Sequence, residues 1–178
     1  VHCPSDITLS ELNESYSFVA IQGPNAQAIL DKTLPLPFAE YKRFSLNKAT
    51  LWNEEILVLG TGYTGEDGFE LAVPNSIVDK LWDALIEAGV TPCGLGARDS
   101  LRLESGLPLY GQELSEQITP LNTRYKWVVK WDKEFIGKDK LLEQKDSVTK
   151  TTVGLEMDER VIPRPHYVID EGGEITSG

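Results

Sequence analysis

The chain has 178 residues, 40% of them hydrophobic and 25% charged. That is enough for one domain of ordinary size, or for a domain with part of a second, and too apolar for a disordered tail. Its 17 Lys and Arg face 28 Asp and Glu, a formal net charge of −11, which argues against nucleic acid and anionic membranes as partners because both demand a basic footprint.

No apolar run approaches the roughly 20 residues of a membrane-spanning helix, and the opening VHCPSDITLS lacks the basic start and apolar centre of a secretory signal. Cys3 and Cys93 lie far apart and fit no metal pattern, so they read as reduced thiols in a reducing compartment, the cytoplasm. His2 and His166 sit near opposite ends, with His2 at a fraying terminus, so no metal site is expected. The final EGGEITSG reads as a turn into an unfinished strand, and the chain is expected to be part of a longer protein.

In chain order, SYSFVAIQG (15–23) predicts a strand stopped by Gly23-Pro24. A helix follows, with Pro24 in its first turn and Ala26, Ile29 and Leu30 on one face. Residues 41–51 suggest a strand and a turn. The segment EILVLGTGYTGEDGFELAVP is a strong hairpin signal: Ile56 to Leu59 is apolar, Asp67-Gly68 favours a tight turn, and Phe69 to Val73 alternates. Next comes a helix capped by Asn75 or Ser76, with Ile77, Leu81 and Leu85 at successive turns and Gly89 as its stop.

GLGARDSLRLES (94–105) predicts a second amphipathic helix with Leu95 and Leu101 apolar; KWVVKW (126–131) predicts a strand and GKDKLLEQK a short helix. The polar run EQKDSVTKTT reads as a linker, after which VGLEM and HYVIDEGGEIT suggest strands of a separate β unit. Hairpins imply antiparallel pairing, so the fold class is α+β rather than a doubly wound parallel sheet.

The sequence has no nucleophile elbow, no phosphate loop ending in Gly-Lys-Ser/Thr and no two-histidine metal motif. The glycines around Tyr63 join two antiparallel strands, which is the wrong setting for a dinucleotide fingerprint. Glu70 stands out, because with Phe69, Leu71 and Val73 on one face it shares the other with the small Ala72. A carboxylate with space beside it can accept two hydrogen bonds from adjacent donors such as a cyclic amide N–H and an amino group; the alternative is a solvated strand carboxylate. Arg98 falls in the first turn of its helix, where a cation opposes the macrodipole. It is there either to meet an anionic or carbonyl-bearing ligand or to pair locally, with Glu70 among the candidates. Tyr63 and Trp127 fit either packing or a stacking platform.

Taken together, GYTGEDGFELAVP, LWDALIEAGVTPCGLGARDSLRLESGLPLYGQEL, ITPL, KWVVKWDKEFIGKDKLL and VGLEM closely resemble the aminomethyltransferase (T-protein) family of the glycine cleavage system, along nearly the whole chain from AIQGPNAQAIL onward. The resemblance implies a folate-binding α+β domain, of which residues 1–145 are the second half, with antiparallel sheet and packed helices, and the start of a C-terminal β-barrel at 151–178. It implies transfer of a carbon from the aminomethyl group on the lipoyl arm of H-protein to tetrahydrofolate, with release of ammonia. It also implies that Glu70, which closes the GYTGE-x-G-x-E motif, orients the pterin ring, with Tyr63 and Arg98 in the same folate site. The family's catalytic aspartate lies in a segment outside this chain, so the chain alone is expected to be inactive. Where the family usually reads Glu-Ala-Gly-Leu, this chain has Asn122-Thr123-Arg124-Tyr125. Two related readings are a folate module of a sarcosine or dimethylglycine dehydrogenase, which an upstream flavin domain would mark, and a non-enzymatic folate-binding relative in iron–sulfur cluster maintenance. The Lys-Gly-Cys-Tyr-x-Gly-Gln-Glu motif of the latter is missing here.

Overall fold

Alternation along four strands decides the architecture of the first part of the chain. The computed structural model describes residues 5–158, 160, 164, 167–169 and 173–174, and these divide into two units, Val1–Arg98 and Asp99–Gly178. In the first unit, β1 (Tyr16–Gln22), β2 (Leu46–Leu51), β3 (Glu54–Leu59) and β4 (Gly68–Pro74) form one antiparallel sheet in the order β1-β4-β3-β2. Residues two apart share a face of a strand, and one face carries the core: Val19 and Ile21, Phe69, Leu71 and Val73, Ile56 and Val58, and Leu51 are all buried. Two helices complete that core. The helix α1 (Ala26–Thr33) contributes Ala26 and Leu30, and α2 (Asn75–Glu87) contributes Ile77, Leu81 and Leu85, the stripe expected from their spacing. Phe38, in a 3-10 turn at Phe38–Glu40, joins the same core with its ring edge-on to Phe69 (5.1 Å between centroids) and Tyr41 (5.8 Å).

The turns depart from expectation. The two-residue hairpin turn is Trp52-Asn53 between β2 and β3, with φ of 51° and 69°, the left-handed pair that a type I′ turn requires. Trp52 tolerates this because its ring packs against the core and lies under the Lys80 ammonium, 4.1 Å from the ring centre. The connection from β3 to β4 is instead the long loop 60–67. Gly68 opens β4 opposite Gln22, and the Gly23 N–H donates to the Asp67 carbonyl at 2.8 Å. Asn75 does not cap α2. Its amide accepts from the Ser17 hydroxyl (2.8 Å) and donates to the Glu14 carbonyl (3.0 Å), tying the helix start to the chain entering β1.

Gly60 holds the start of the long loop against the chain before β2. It exchanges backbone hydrogen bonds with Phe44 and Ser45, and a Cβ added there would lie 2.2 Å from the Lys42 carbonyl oxygen. Backbone on both sides leaves nothing free to yield. Gly60→Ala is therefore expected to destabilise the first unit by about 1–3 kcal/mol, measured by urea unfolding; a cost below about 0.5 kcal/mol would show that the loop opens freely.

The helix α3 (Leu95–Glu104) runs across the division between the units. In the second unit a short helix, α4 (Lys138–Gln144), follows, and β5 (Val168–Ile169) pairs with β6 (Gly173–Glu174) in an antiparallel hairpin within HYVIDEGGEIT. The strand expected at 126–131 is not formed: Lys126–Val128 is a 3-10 turn with Trp127 exposed. The Lys126 and Val128 N–H groups bond the Thr123 and Tyr125 carbonyls, so turn bonds take the place of the ladder partner that alternation alone cannot supply. VGLEM (153–157) also carries no strand. The charged residue Arg102 is 1% exposed, more deeply buried than any other residue described on α3. It donates from Nε to Asp99 (2.8 Å) and from a terminal nitrogen to Glu113 (2.8 Å), and Glu113, itself 7% exposed, also accepts the Leu109 N–H at 3.0 Å. Burial opposes the Arg102 charge, but the hydrogen bond to Asp99 and the charges of Glu113 and Asp99 outweigh it and raise its pKa.

Cys93 is an exposed free thiol; His2, Cys3 and His166 lie outside the described residues. Among the described residues no helix is long and apolar enough to cross a membrane.

Candidate functional site

The face of the sheet turned away from the helices is where the sequence places a ligand. Pairing sets Glu70 on β4 directly between Ala20 of β1 and Leu59 of β3, and Ala72 between Phe18 and Leu57. The neighbours in register with Glu70 are thus apolar, and two of the residues around it, Ala20 and Ala72, are as small as a side chain with a Cβ can be. Phe18 and Leu46 on this face are exposed. The result is an apolar patch with the Glu70 carboxylate set into it, half-buried, while Lys48 and Glu55 pair with each other further along the same face.

Glu70 has a partner within the chain. The Thr61 hydroxyl donates to its Oε2 at 2.5 Å. Its other oxygen, Oε1, receives no hydrogen bond among the described residues. A charge-assisted bond of this kind is short and strong, and it fixes the carboxylate at the start of the long loop rather than on a neighbouring strand.

Thr61 is held in turn by Gln22 at the end of β1. The Gln22 amide nitrogen donates to the carbonyls of Thr61 and Phe69, each at 3.1 Å. Gly62 and Gly68 make room for that side chain: a Cβ on Gly62 would fall 2.1 Å from Gln22 Oε1, and one on Gly68 would fall 2.3 Å from the Ile21 carbonyl oxygen. Close approach therefore accounts for Gly62 in the loop and for Gly68 where β4 begins. Neither Gln22 nor Thr61 was picked out from sequence. The one available signal was a hydroxyl-bearing residue set between Gly60 and Gly62, immediately after an apolar strand.

Tyr63 and Arg98 do come together. The Arg98 guanidinium lies over the Tyr63 ring, 4.7 Å from its centre, a cation–π contact worth roughly 0.5–1 kcal/mol at an exposed site. Arg98 is exposed and Tyr63 half-buried. Among the described residues Arg98 makes no ion pair with Glu70, so the local-pairing alternative for these two does not hold. Tyr63 and Arg98 form one stacked element of the site and Glu70 with Thr61 another.

Residues 1–133 match the family described as "GCVT N-terminal domain". The chain is 44% identical over 184 residues to an aminomethyltransferase of Thermoanaerobacter pseudethanolicus, covering 97% of this chain and 50% of that protein. To an aminomethyltransferase of Bacillus mycoides it is 44% identical over 189 residues, covering 99% of this chain and 52% of that protein. The chain thus spans about half the length of the curated relatives it matches. Among solved structures, the glycine cleavage system aminomethyltransferase T from Bartonella henselae superposes with a TM-score of 0.76 at 32% identity, over 92% of this chain and 47% of that one. The α+β architecture read from the hairpins is that of this neighbour.

Proposed function

The chain belongs to the GCVT N-terminal domain family, and on that basis we propose that in its full-length form the protein is the aminomethyltransferase of the glycine cleavage system. It would transfer the carbon of the aminomethyl group carried on the lipoyl arm of H-protein to tetrahydrofolate and release ammonia. Residues 1–145 are the part of the folate domain that holds the ring, and 151–178 begin the barrel. A cytoplasmic setting is part of the same proposal, and the exposed free thiol of Cys93 suits a reducing compartment.

The observation that carries this reading is the placement of Glu70 in an apolar patch. A reduced pterin ring is flat, and one edge presents an amide N–H beside an amino group. Ala20, Phe18 and Leu59 offer an apolar surface, and Glu70 offers the acceptor at its edge. Tyr63 and Arg98, already stacked, supply a second wall with a cation for carbonyl or carboxylate groups. In this reading these residues perform no proton transfer. They hold the folate nitrogen against the aminomethyl carbon, and the rate gain is one of positioning and fixed electrostatics. The chain alone is expected to release no ammonia from aminomethylated H-protein and tetrahydrofolate, since the family's catalytic aspartate lies outside it.

The test is Glu70→Gln in the full-length protein. The amide keeps the shape but turns one acceptor into a donor facing a donor. A charged hydrogen bond contributes about 1.5–3 kcal/mol, so tetrahydrofolate affinity should fall roughly tenfold to a hundredfold. Stability without ligand should change little, because the amide oxygen can still accept from Thr61. Unchanged affinity with a large drop in melting temperature would make Glu70 a structural residue and remove the folate reading.

A further inference from the structure

We infer that Thr61, braced by Gln22, is a positioning residue that sets the plane of the Glu70 carboxylate, and so selects ligands presenting two donors side by side. The inference deepens the folate reading and rests on it for the identity of the ligand. The terminal torsion of a glutamate is broad and roughly two-fold, so a half-buried carboxylate on an apolar patch has no intrinsic plane. Ala20, Leu59 and Ala72 give it no hydrogen bond to turn against. The Thr61 hydroxyl supplies one, at 2.5 Å to Oε2. It occupies one lone pair of Oε2 and leaves the other, together with Oε1, for two parallel hydrogen bonds from a ligand edge.

The geometry around Thr61 is that of a clamp. A single amide nitrogen, Gln22 Nε2, donates to the Thr61 carbonyl and to the carbonyl of Phe69, the residue before Glu70. Donor and acceptor of the Thr61–Glu70 bond are thereby fixed to one side chain. The amide cannot be turned over, because its oxygen would then face both carbonyls. In this orientation Gln22 Oε1 is buried without a hydrogen-bond partner. A buried acceptor left unsatisfied carries a desolvation cost, and such groups call for an explanation beyond packing. The clamp on the Glu70 segment is that explanation. Gly62 belongs to the same device, since any side chain there would displace the Gln22 amide.

Two readouts test it. The first needs no ligand: the order parameter of the Glu70 side chain, from NMR relaxation of the chain. It should drop in Thr61→Val, which keeps the branched shape and removes the hydroxyl, and return in Thr61→Ser. An order parameter unchanged in Thr61→Val overturns the positioning role whatever ligand binding does. The second is tetrahydrofolate titration of the full-length protein. Thr61→Val should weaken binding about tenfold and Thr61→Ser by less than about threefold. In a Glu70→Ala background Thr61→Val should change affinity by less than about twofold, because a residue acting through Glu70 has nothing left to act on. A full tenfold loss in that background overturns the proposal, since Thr61 would then touch the ligand itself. Equal affinity of wild type, Glu70→Gln and Thr61→Val would remove the folate reading, and the NMR result would still decide the clamp.

Discussion

Arg102→Met is expected to destabilise the second unit by about 3–5 kcal/mol. The methionine fills much of the same volume, so the cost comes from what is left behind. Asp99 is 51% exposed at its side chain and returns to water at little cost. Glu113 is not so placed: it is buried and loses the guanidinium that neutralised it, while the Leu109 N–H at 3.0 Å remains its partner. A buried carboxylate without its counter-charge accounts for the larger share of the destabilisation. Arg102→Met with Glu113→Gln should therefore recover most of the loss, since the amide oxygen can still accept from Leu109 and no charge remains buried. Replacing Glu113 by leucine instead should recover less, because the Leu109 N–H is then orphaned. Urea unfolding followed through Trp127 and Trp131, both in this unit, reads the effect. A single variant within about 1 kcal/mol of wild type would show that the pair is solvated, and the double variant would then bring no gain.

The parts of this fold that period-two and period-three-or-four patterns control were legible in the sequence. Phe69, Leu71 and Val73 face the helices, so Glu70 had to face away, and it does. Ile77, Leu81 and Leu85 had to be one buried stripe. What was not legible depends on partners far along the chain. Trp52 enters a left-handed turn because Lys80 and the core receive its ring, and no local preference of tryptophan announces that. Asn75 has the chemistry of a cap but is used by Ser17, 58 positions earlier. The alternation at 126–131 was genuine, yet alternation specifies a strand only where another strand pairs with it. Arg102 was hidden in a helix whose apolar residues drew attention, and Glu113, which permits its burial, follows 11 positions later in a loop. For the candidate site, motif and alternation proposed Glu70, Tyr63 and Arg98. The clamp was missed because Gln22 meets the residues it holds, Thr61 and Phe69, across 39 and 47 positions.

Phe38→Ala is expected to cost the first unit about 3–5 kcal/mol. Phe38 is fully buried, and two edge-on ring contacts, to Phe69 and Tyr41, add to the area it removes from water. Alanine leaves a cavity among core side chains held by the sheet and helices, so collapse is limited and the cavity itself adds to the loss. Phe38→Leu, which keeps most of the volume, should cost less than about 1.5 kcal/mol. The consequence for the site follows from chain geometry. Phe69 precedes Glu70 on β4, and its carbonyl is one of the two that Gln22 holds. A ring that loses its partner on the core face can settle into the cavity and draw that carbonyl with it, loosening the clamp on the opposite face. Phe38→Ala should therefore lower Glu70 side-chain order as well as stability, whereas Gly60→Ala, whose clash is with Lys42, should lower stability and leave that order intact. Unfolding read through Trp52 and Trp82, together with Glu70 relaxation, separates the two effects. Equal Glu70 order in Phe38→Ala and wild type would mean that the two faces of the sheet are mechanically independent at β4.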